Sequence, residues 1–449
     1  MEKEFNEIPI KKLVLKLGIP AMAAQFFNIL YSVTDRIFVG NIRGIGEIAL
    51  ASVGVSAPAL TIIAGFAALV GVGGMSLMSI SIGKKEYVTA QKAINNALLL
   101  LMIQGIALTA GTLAVRKPLL LLLGCNDSMY FYANTYFSIY LLGTISVMIG
   151  TGMNYFVLGQ GYAKDGMIAV ILGAVLNIVL DPILIFVCDM GIAGAAVATV
   201  IAQTASMGYV LFVLTKKSNI QIKKGGYEGN IVKQIYKVGS MSFLIVLLDN
   251  GILILLNTVL RKYGGENGTL YISCATVVQS FMVLAYFPAA GIASGCGTLY
   301  SYHYGAFHFE KLMEVFKNVL KLCFVYLLLL TLLAQAAPNL FVNLFVSDIQ
   351  TRQIATSFVR MYTLGLVGTA VQYAFVDGLT SMGKVKYAIP ISLFRKCIYI
   401  VGVLLLPLFL DVKYVFWSGT LADCIGATFT LIVFRVVIYP RLKLEMKHS

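Results

Sequence analysis

Charged residues are scarce in this chain of 449 residues: Asp, Glu, Lys and Arg together make up 12%. Soluble globular chains carry about a quarter. Hydrophobic residues reach 59% and the mean hydropathy is +0.86. A chain of this length at roughly 150 residues per soluble domain would form about three, but it could not hide this much apolar surface from water. Its main solvent is lipid. Histidine is scarcer still, with three copies (His303, His308, His448) and neither an HExxH motif nor a metal set. The seven cysteines lack CxxC spacing and read as small apolar packing residues. Residues Gly378 to Val385 nearly spell a phosphate loop, but Val385 stands where Ser or Thr must hold magnesium, and the run follows an apolar stretch instead of a strand. No nucleotide or hydrolase motif survives, so the chain is read as no enzyme, and any transport as ion-coupled or passive. The first twelve residues, MEKEFNEIPIKK, hold three acids (Glu2, Glu4, Glu7) and no short apolar region with a cleavage site, so no cleaved signal peptide is expected.

What is present is a series of apolar runs. Crossing about 30 Å of hydrocarbon takes about 20 residues. Twelve runs qualify, at 13–39, 47–82, 91–115, 130–158, 165–187, 190–215, 238–260, 270–304, 316–336, 354–382, 387–410 and 414–438. The fold class is therefore all-α and integral to the membrane. Spans 2 and 8 carry internal Pro and Gly (Pro58, Gly71, Gly73, Gly74; Pro288, Gly291, Gly295, Gly297) and are expected to bend or unwind locally. Twelve crossings place both termini on one side. The loops of that side, with the residues flanking them and the tail, carry 22 Lys and Arg; the opposite loops carry seven, namely Arg43, Arg116, Lys117, Arg261, Lys262, Arg352 and Lys413. The positive-inside rule makes both termini cytoplasmic. The same asymmetry accounts for most of the net charge of +14, so no nucleic-acid partner is needed.

The two halves repeat. Gly73, Ser79 and Gly83 recur as Gly295, Ser301 and Gly305 at one constant offset, and Gly161 recurs as Gly383 at the same offset. Pro118 matches Pro338 and Asp127 matches Asp348 with nearly that spacing. Six spans per half give both halves one orientation, as in transporters whose substrate sits between two bundles. The expected organisation is a first lobe at 1–215, a basic cytoplasmic linker at 216–237 with Gly225-Gly226 as its flexible point, and a second lobe at 238–449.

Charges inside spans are costly, so each calls for a cavity or a partner. Asp35 in span 1 and Asp181 in span 5 lie at similar depth. Gln25, Asn28, Ser32 and Asp35 form one polar stripe, and Asn177 and Asp181 share one face of span 5. Pro182 frees the carbonyl of Ile178. Two carboxylates, an amide and a free carbonyl suit a hard cation or a proton. In the second half, Asp377 lies at the depth of Arg395 and Lys396, so a structural ion pair of Asp377 with one of them is expected. Asp249 has no evident basic partner and Asp423 stands in span 12. The repeat mates of Asp35 and Asp181 fall near Leu256 and Val403, so the acids are not duplicated. Met and aromatic side chains in the spans (among them Met22, Phe26, Phe27, Met75, Met153, Phe281 and Tyr286) would suit flat lipophilic cations, although ordinary packing also uses them. The expected substrate cavity takes in Gln25, Asn28, Tyr31, Tyr155, Met282 and Asp249.

Four segments carry a resemblance: LKLGIPAMAAQFFNILYSVTDRIFVG, GVGGMSLMSISIGKK, LGQGYAKDGMIAVILGAVLNIVLDPILIF and GIAGAAVATVIAQ. They resemble the multidrug and toxic compound extrusion (MATE) transporters over essentially the whole chain, closest to the bacterial branch related to DinF and MepA. The resemblance implies two six-helix bundles in a V, alternating access, and export of organic cations or drugs across the bacterial cytoplasmic membrane in exchange for H⁺ or Na⁺. It implies no cofactor beyond that ion, and the expected protein is a monomer among membrane lipids. Residue by residue, it assigns the coupling site, or a Na⁺ site, to Asp35, Asn177 and Asp181. Asn154 and Thr199 are lesser members. Asp249 resembles an acid that some branches place in span 7, whereas Asp377 does not match their span-10 acid. The alternative within the superfamily is a flippase of lipid-linked saccharides, which would want several cations in its cavity; a channel or receptor would need neither the buried acids nor the repeat.

Overall fold

The computed structural model describes residues 2–343 and 349–447. Asp348, one of the repeat markers, and His448 lie outside the described residues. Among the described residues all regular structure is helical. Twelve spans follow the apolar runs: α1 (Ile10–Gly40), α2 (Gly46–Gly83), α3 (Tyr87–Ala114), α4 (Asp127–Leu142 with Thr144–Gly159), α5 (Ala163–Val187), α6 (Gly191–Lys217), α7 (Gly229–Tyr263), α8 (Leu270–Gly305), α9 (Phe309–Ala336), α10 (Thr351–Ser381), α11 (Val385–Phe409) and α12 (Val412–Lys447). A short helix, Glu2–Glu7, precedes α1. Helices are the economical solution in lipid, because every backbone group must find its partner within the segment.

The expected breaks fall elsewhere. α2 and α8 each run as one helix through Pro58 and Pro288. The span that breaks is α4, whose two parts meet at 53°. The junction is Gly143, where a Cβ would stand 2.6 Å from Val200 on α6, so the bend presses α4 onto α6. The glycines of α2 and α8 serve close packing. A Cβ on Gly71 would meet the carbonyl of Gly152 at 2.8 Å, and one on Gly295 the carbonyl of Leu17 at 2.7 Å. Gly73 faces the carbonyl of Ile235 in the same way. Small residues let helix backbones touch in lipid, where no hydrophobic force draws helices together.

These contacts join the two halves. α1 packs on α8, and α2 packs on both α7 and α8. The contacts run through Leu17 to Gln25, Gly65 to Gly83, Ile235 to Val246 and Gly291 to Gly305, in the halves of these helices nearer the chain termini. The arrangement is pseudo-two-fold at the level of atoms. Gly83 faces the carbonyl of Tyr302, and Gly305 that of Ile80, the repeat mate of Tyr302. The Ser79 hydroxyl donates to the carbonyl of Gly159 (3.0 Å), and the Ser301 hydroxyl to that of Ser381 (2.6 Å). Thr298 donates to Gly159 across the lobe boundary at 2.6 Å, and Ser76 reciprocates to Ser381. Each pair maps onto the other by the offset that relates the two halves of the sequence. The turns repeat too: Gly161 and Gly383 close α4 and α10 with φ of +83° and +72°. In both turns the amide of the next residue returns to a carbonyl of the last helical turn (Tyr162 to Val157, Lys384 to Leu379). A left-handed C-terminal cap of this kind favours glycine.

The linker is shorter and firmer than expected. α6 ends at Lys217 and α7 starts at Gly229. Between them, Asn95 donates to the carbonyl of Gly225 (2.9 Å) and accepts from the amide of Lys223 (3.0 Å). Asn96 does the same with Gly226 and Glu228, and Gln160 with both backbone groups of Ile220. Gly225-Gly226 is thus no loose point. Side-chain amides of α3 and α4 take up the backbone groups that an irregular segment leaves open.

Because a side chain at Gly83 or Gly305 would collide with backbone, Gly83→Val and Gly305→Val should each destabilise the protein by at least about 1–3 kcal/mol. Gly54→Ala, on an open helix face with nothing within 4 Å, should be neutral or slightly stabilising. Heating the purified variants in detergent and following the loss of the monodisperse size-exclusion peak checks the difference; equal midpoints for Gly83→Val and wild type would refute it.

Candidate functional site

In the first half, two acids from different helices meet. Asp35 of α1 is 7% exposed and Asp181 of α5 is fully buried. α1 packs along α5, which brings the two carboxylates near enough to interact. Ionised carboxylates only accept hydrogen bonds. Ionised together they would repel, and a proton or a cation between them relieves that repulsion. Asn177, one turn before Asp181, donates to Asp181 Oδ1 at 3.2 Å and to the Thr199 hydroxyl of α6 at 3.3 Å. Thr199 passes its own proton to the carbonyl of Ala195 at 3.0 Å. This chain orients the Asn177 amide nitrogen toward Asp181 and leaves oxygens facing inward. Asp35 Oδ1, Asn177 Oδ1 and Asp181 Oδ2 are buried without hydrogen-bond partners among the described residues. Unpartnered buried oxygens of this kind suit a hard cation, which takes oxygen ligands, or a shuttling proton. α5 continues through Pro182 and widens into a π turn over Ile183–Val187, a feature common at functional sites.

Aromatic hydroxyls enclose the pair. Tyr31 of α1, together with Tyr136 and Tyr140 of α4, is close enough to sense the charges of Asp35, and Tyr31 and Tyr136 sense Asp181 as well. The last two escaped the sequence reading. Their signal was the i, i+4 stripe Tyr132, Tyr136, Tyr140, on the half of α4 before its bend.

Five of the expected residues converge here: Tyr31, Asp35, Asn177, Asp181 and Thr199. Asn154 does not. Its Oδ1 lies against Gly166, 3.1 Å from where a Cβ would stand. Gly166 precedes Asn177 on α5 by about three helical turns, or about 16 Å. Asn154 lies five residues before the termini-side end of α4, away from the acids. Gln25 lies against Gly291 of α8 and accepts from Asn28 at 3.4 Å, so the inner end of the α1 stripe sits at the lobe boundary. Tyr155 packs on Gly71 of α2, and Met282 is 5% exposed and part of the packed interior.

The second half overturns one expected pairing. Asp377 makes no ion pair among the described residues. Arg395 binds Asp423 of α12 instead, through Nη2 at 2.6 Å and Nε at 2.8 Å, and Lys396 binds Asp249 of α7. Matching depth was an insufficient guide, because consecutive residues on α11 point about 100° apart and reach different neighbouring helices. Asp249, read as having no basic partner, has one. Both cations are therefore neutralised inside their own half, and the uncompensated acidic contact belongs to the first half.

The MatE family model matches residues 20–183 and again 242–406. The chain belongs to the MatE family. The starts of the two matches are separated by the same offset that relates the turns and hydroxyl contacts. Among relatives, the multidrug export protein MepA of Staphylococcus aureus strain MSSA476 is 22% identical over 435 residues, covering 96% of this chain and 94% of that protein. MepA of Staphylococcus haemolyticus gives the same identity and coverage over 436 residues. An outward-facing multidrug resistance MATE transporter superposes with a TM-score of 0.90 at 24% identity, covering 99% of this chain and 98% of that one. A MOP superfamily transporter from Pyrococcus furiosus does so at 0.91 and 24%, over 98% of each chain. At that identity the structures establish the MATE fold, with its two bundles of six helices.

Within this MatE fold, the Arg395–Asp423 pair makes a structural prediction. Asp423 is fully buried, so Arg395→Met strands its charge and should cost about 3–5 kcal/mol. Arg395→Met combined with Asp423→Leu should recover most of the loss. Unfolding midpoints in detergent check this; a double variant no better than the single one would refute the pairing as the cause.

Proposed function

We propose that this protein is a secondary active antiporter. It exports organic cations and amphiphilic drugs across the bacterial cytoplasmic membrane in exchange for H⁺ or Na⁺, with both termini cytoplasmic. The observation that carries the reading is the burial of Asp35 and Asp181 side by side on two different helices. Membership of the MatE family and the multidrug export named for MepA support the direction and class of cargo. The basic loops on the termini side support the orientation.

The mechanism follows from the charges. With the site open to the outside, Asp35 and Asp181 take up a proton or Na⁺, which removes their repulsion and lets α1 and α5 close on each other. Asn177 and Thr199 hold Asp181 in register and supply oxygen ligands if the ion is Na⁺. An ion shifts a two-state equilibrium only by its differential affinity for the two states, so the contact must form in one state and open in the other. Cargo bound between the lobes is released as the site fills, and the ion leaves once the protein faces inward. The superfamily alternative, a flippase of lipid-linked saccharides, needs cations free to hold a pyrophosphate; Arg395 and Lys396 are each held by an aspartate, which favours the antiporter.

The test is ethidium efflux from proteoliposomes containing only this protein, under separate H⁺ and Na⁺ gradients. Wild type should respond to one gradient. Asp35→Asn and Asp181→Asn should each lower gradient-driven efflux by at least about tenfold, a loss equivalent to about 1.4 kcal/mol of coupling. Thr199→Val should weaken it less. Gradient-driven efflux at the wild-type rate in both Asn variants would sink the reading.

A further inference from the structure

The short helix Glu2–Glu7 takes no part in the coupling site, yet it touches both halves of the molecule. It stops where it does because the ring of Pro9 disfavours helix at Ile8. Pro9 itself is extended, with ψ of 135°, and α1 starts afresh after it. Six residues are too few for a helix that stands alone in water, so contacts with the rest of the molecule hold it.

Those contacts are shared between the halves. On the first, Glu4 pairs with Lys16 of α1. The Phe5 ring lies 3.4 Å from where a Cβ on Gly161, in the turn between α4 and α5, would stand. On the second half, the same ring meets the Tyr302 ring of α8 edge to face, with centroids 5.2 Å apart and planes at 79°. Asn6 donates to the Tyr302 hydroxyl at 3.1 Å, and Lys311 of α9 donates to the Asn6 carbonyl at 2.9 Å. Phe5 is 1% exposed, so a whole aromatic ring is buried in a seam with one wall from each half. The matching turn of the second half is covered differently: Gly383 faces Val238 of the unbroken α7.

When the halves part on the termini side, Gly161 and Tyr302 separate, and Phe5 cannot keep both. A contact made in one state and lost in the other biases the equilibrium between them. We propose that the helix Glu2–Glu7 is a clasp that holds the termini side closed, with Phe5 as its anchor, and that it lets go when the protein opens toward the cytoplasm. This rests on the alternating opening of the reading above, and adds the element that sets how often the inner side opens.

A native thiol can report the opening. Cys296 of α8 is fully buried at the lobe boundary, its sulfur 3.7 Å from the Val14 carbonyl of α1 and 3.3 Å from where a Cβ on Gly18 would stand. N-ethylmaleimide reaches it only when α1 and α8 part. Cys274, fully buried against the Thr351 carbonyl inside the second half, reacts only if that half unfolds. Alkylation of the purified protein in nanodiscs, read site by site by mass spectrometry, should run at least about tenfold faster at Cys296 in Phe5→Ala than in wild type, a shift equivalent to about 1.4 kcal/mol. Cys274 should stay unreacted. Lys311→Ala, which loosens the grip on the second half alone, should speed Cys296 about threefold, the scale of one hydrogen bond. Wild-type rates at Cys296 in both variants overturn the clasp, and so does an equal rise at Cys274. The readout needs no gradient. If wild-type efflux ignores both H⁺ and Na⁺ while Phe5→Ala still unmasks Cys296, the ion-coupled reading falls and the clasp stands.

Discussion

Backbone lies against backbone at the centre of this molecule. Where α2 and α8 cross, Gly83 and Gly305 each face a carbonyl of the opposite helix, and a few residues away Ser76, Ser79, Thr298 and Ser301 donate to carbonyls that close the neighbouring turns. In lipid this close approach supplies what burial from water supplies in a soluble core. The two halves can be joined so tightly because they are copies related by a two-fold axis: each concession one half makes to the other is returned. The tyrosine-lined acid site and the ion pairs of the second half both lie on helices whose positions this crossing sets.

The junction is confined to the termini-proximal halves of α1, α2, α7 and α8, and it consists of small side chains and hydroxyl–carbonyl contacts. Such an interface gains its energy from close fit, so a small displacement costs most of it. The linker that crosses between the lobes is held to the first by Asn95, Asn96 and Gln160, so relative motion of the halves has to be absorbed beyond it, where α7 begins.

Charge is distributed unequally between two nearly symmetric scaffolds. The first half brings Asp35 and Asp181 together with no basic residue bonded to either among the described residues. The second half pairs both cations in the middle of α11 with an acid. One backbone architecture thus carries neighbouring buried acids on one side and paired charges on the other, and the proposed coupling site rests on that difference.

The number of spans, their order, the repeat and the acids inside the spans were legible in the chain, because each depends on a local property: the length of an apolar run, a fixed shift between matching residues, the cost of a charge in hydrocarbon. Asn177 and Asp181 were legible as a pair because i, i+4 on a helix is a statement about one helix. What joins different helices was not. Depth alone could not choose between Asp249, Asp377 and Asp423 as partners of Arg395 and Lys396, since partner choice depends on how each helix is rotated about its axis. Asn154, assigned by the resemblance, stands near the termini-side end of α4, whereas Tyr136 and Tyr140, on the part before the bend, are the residues of that span near the acids. Glycines in α2 and α8 read as places to unwind, yet the neighbours that press against them use the missing side chain as room. Hydrophobicity and helical rise act along the chain, so the order of residues was enough to say which of them lie within the membrane and at what depth. Which of them face each other was decided only on folding, because helix rotation and close packing act between segments hundreds of residues apart.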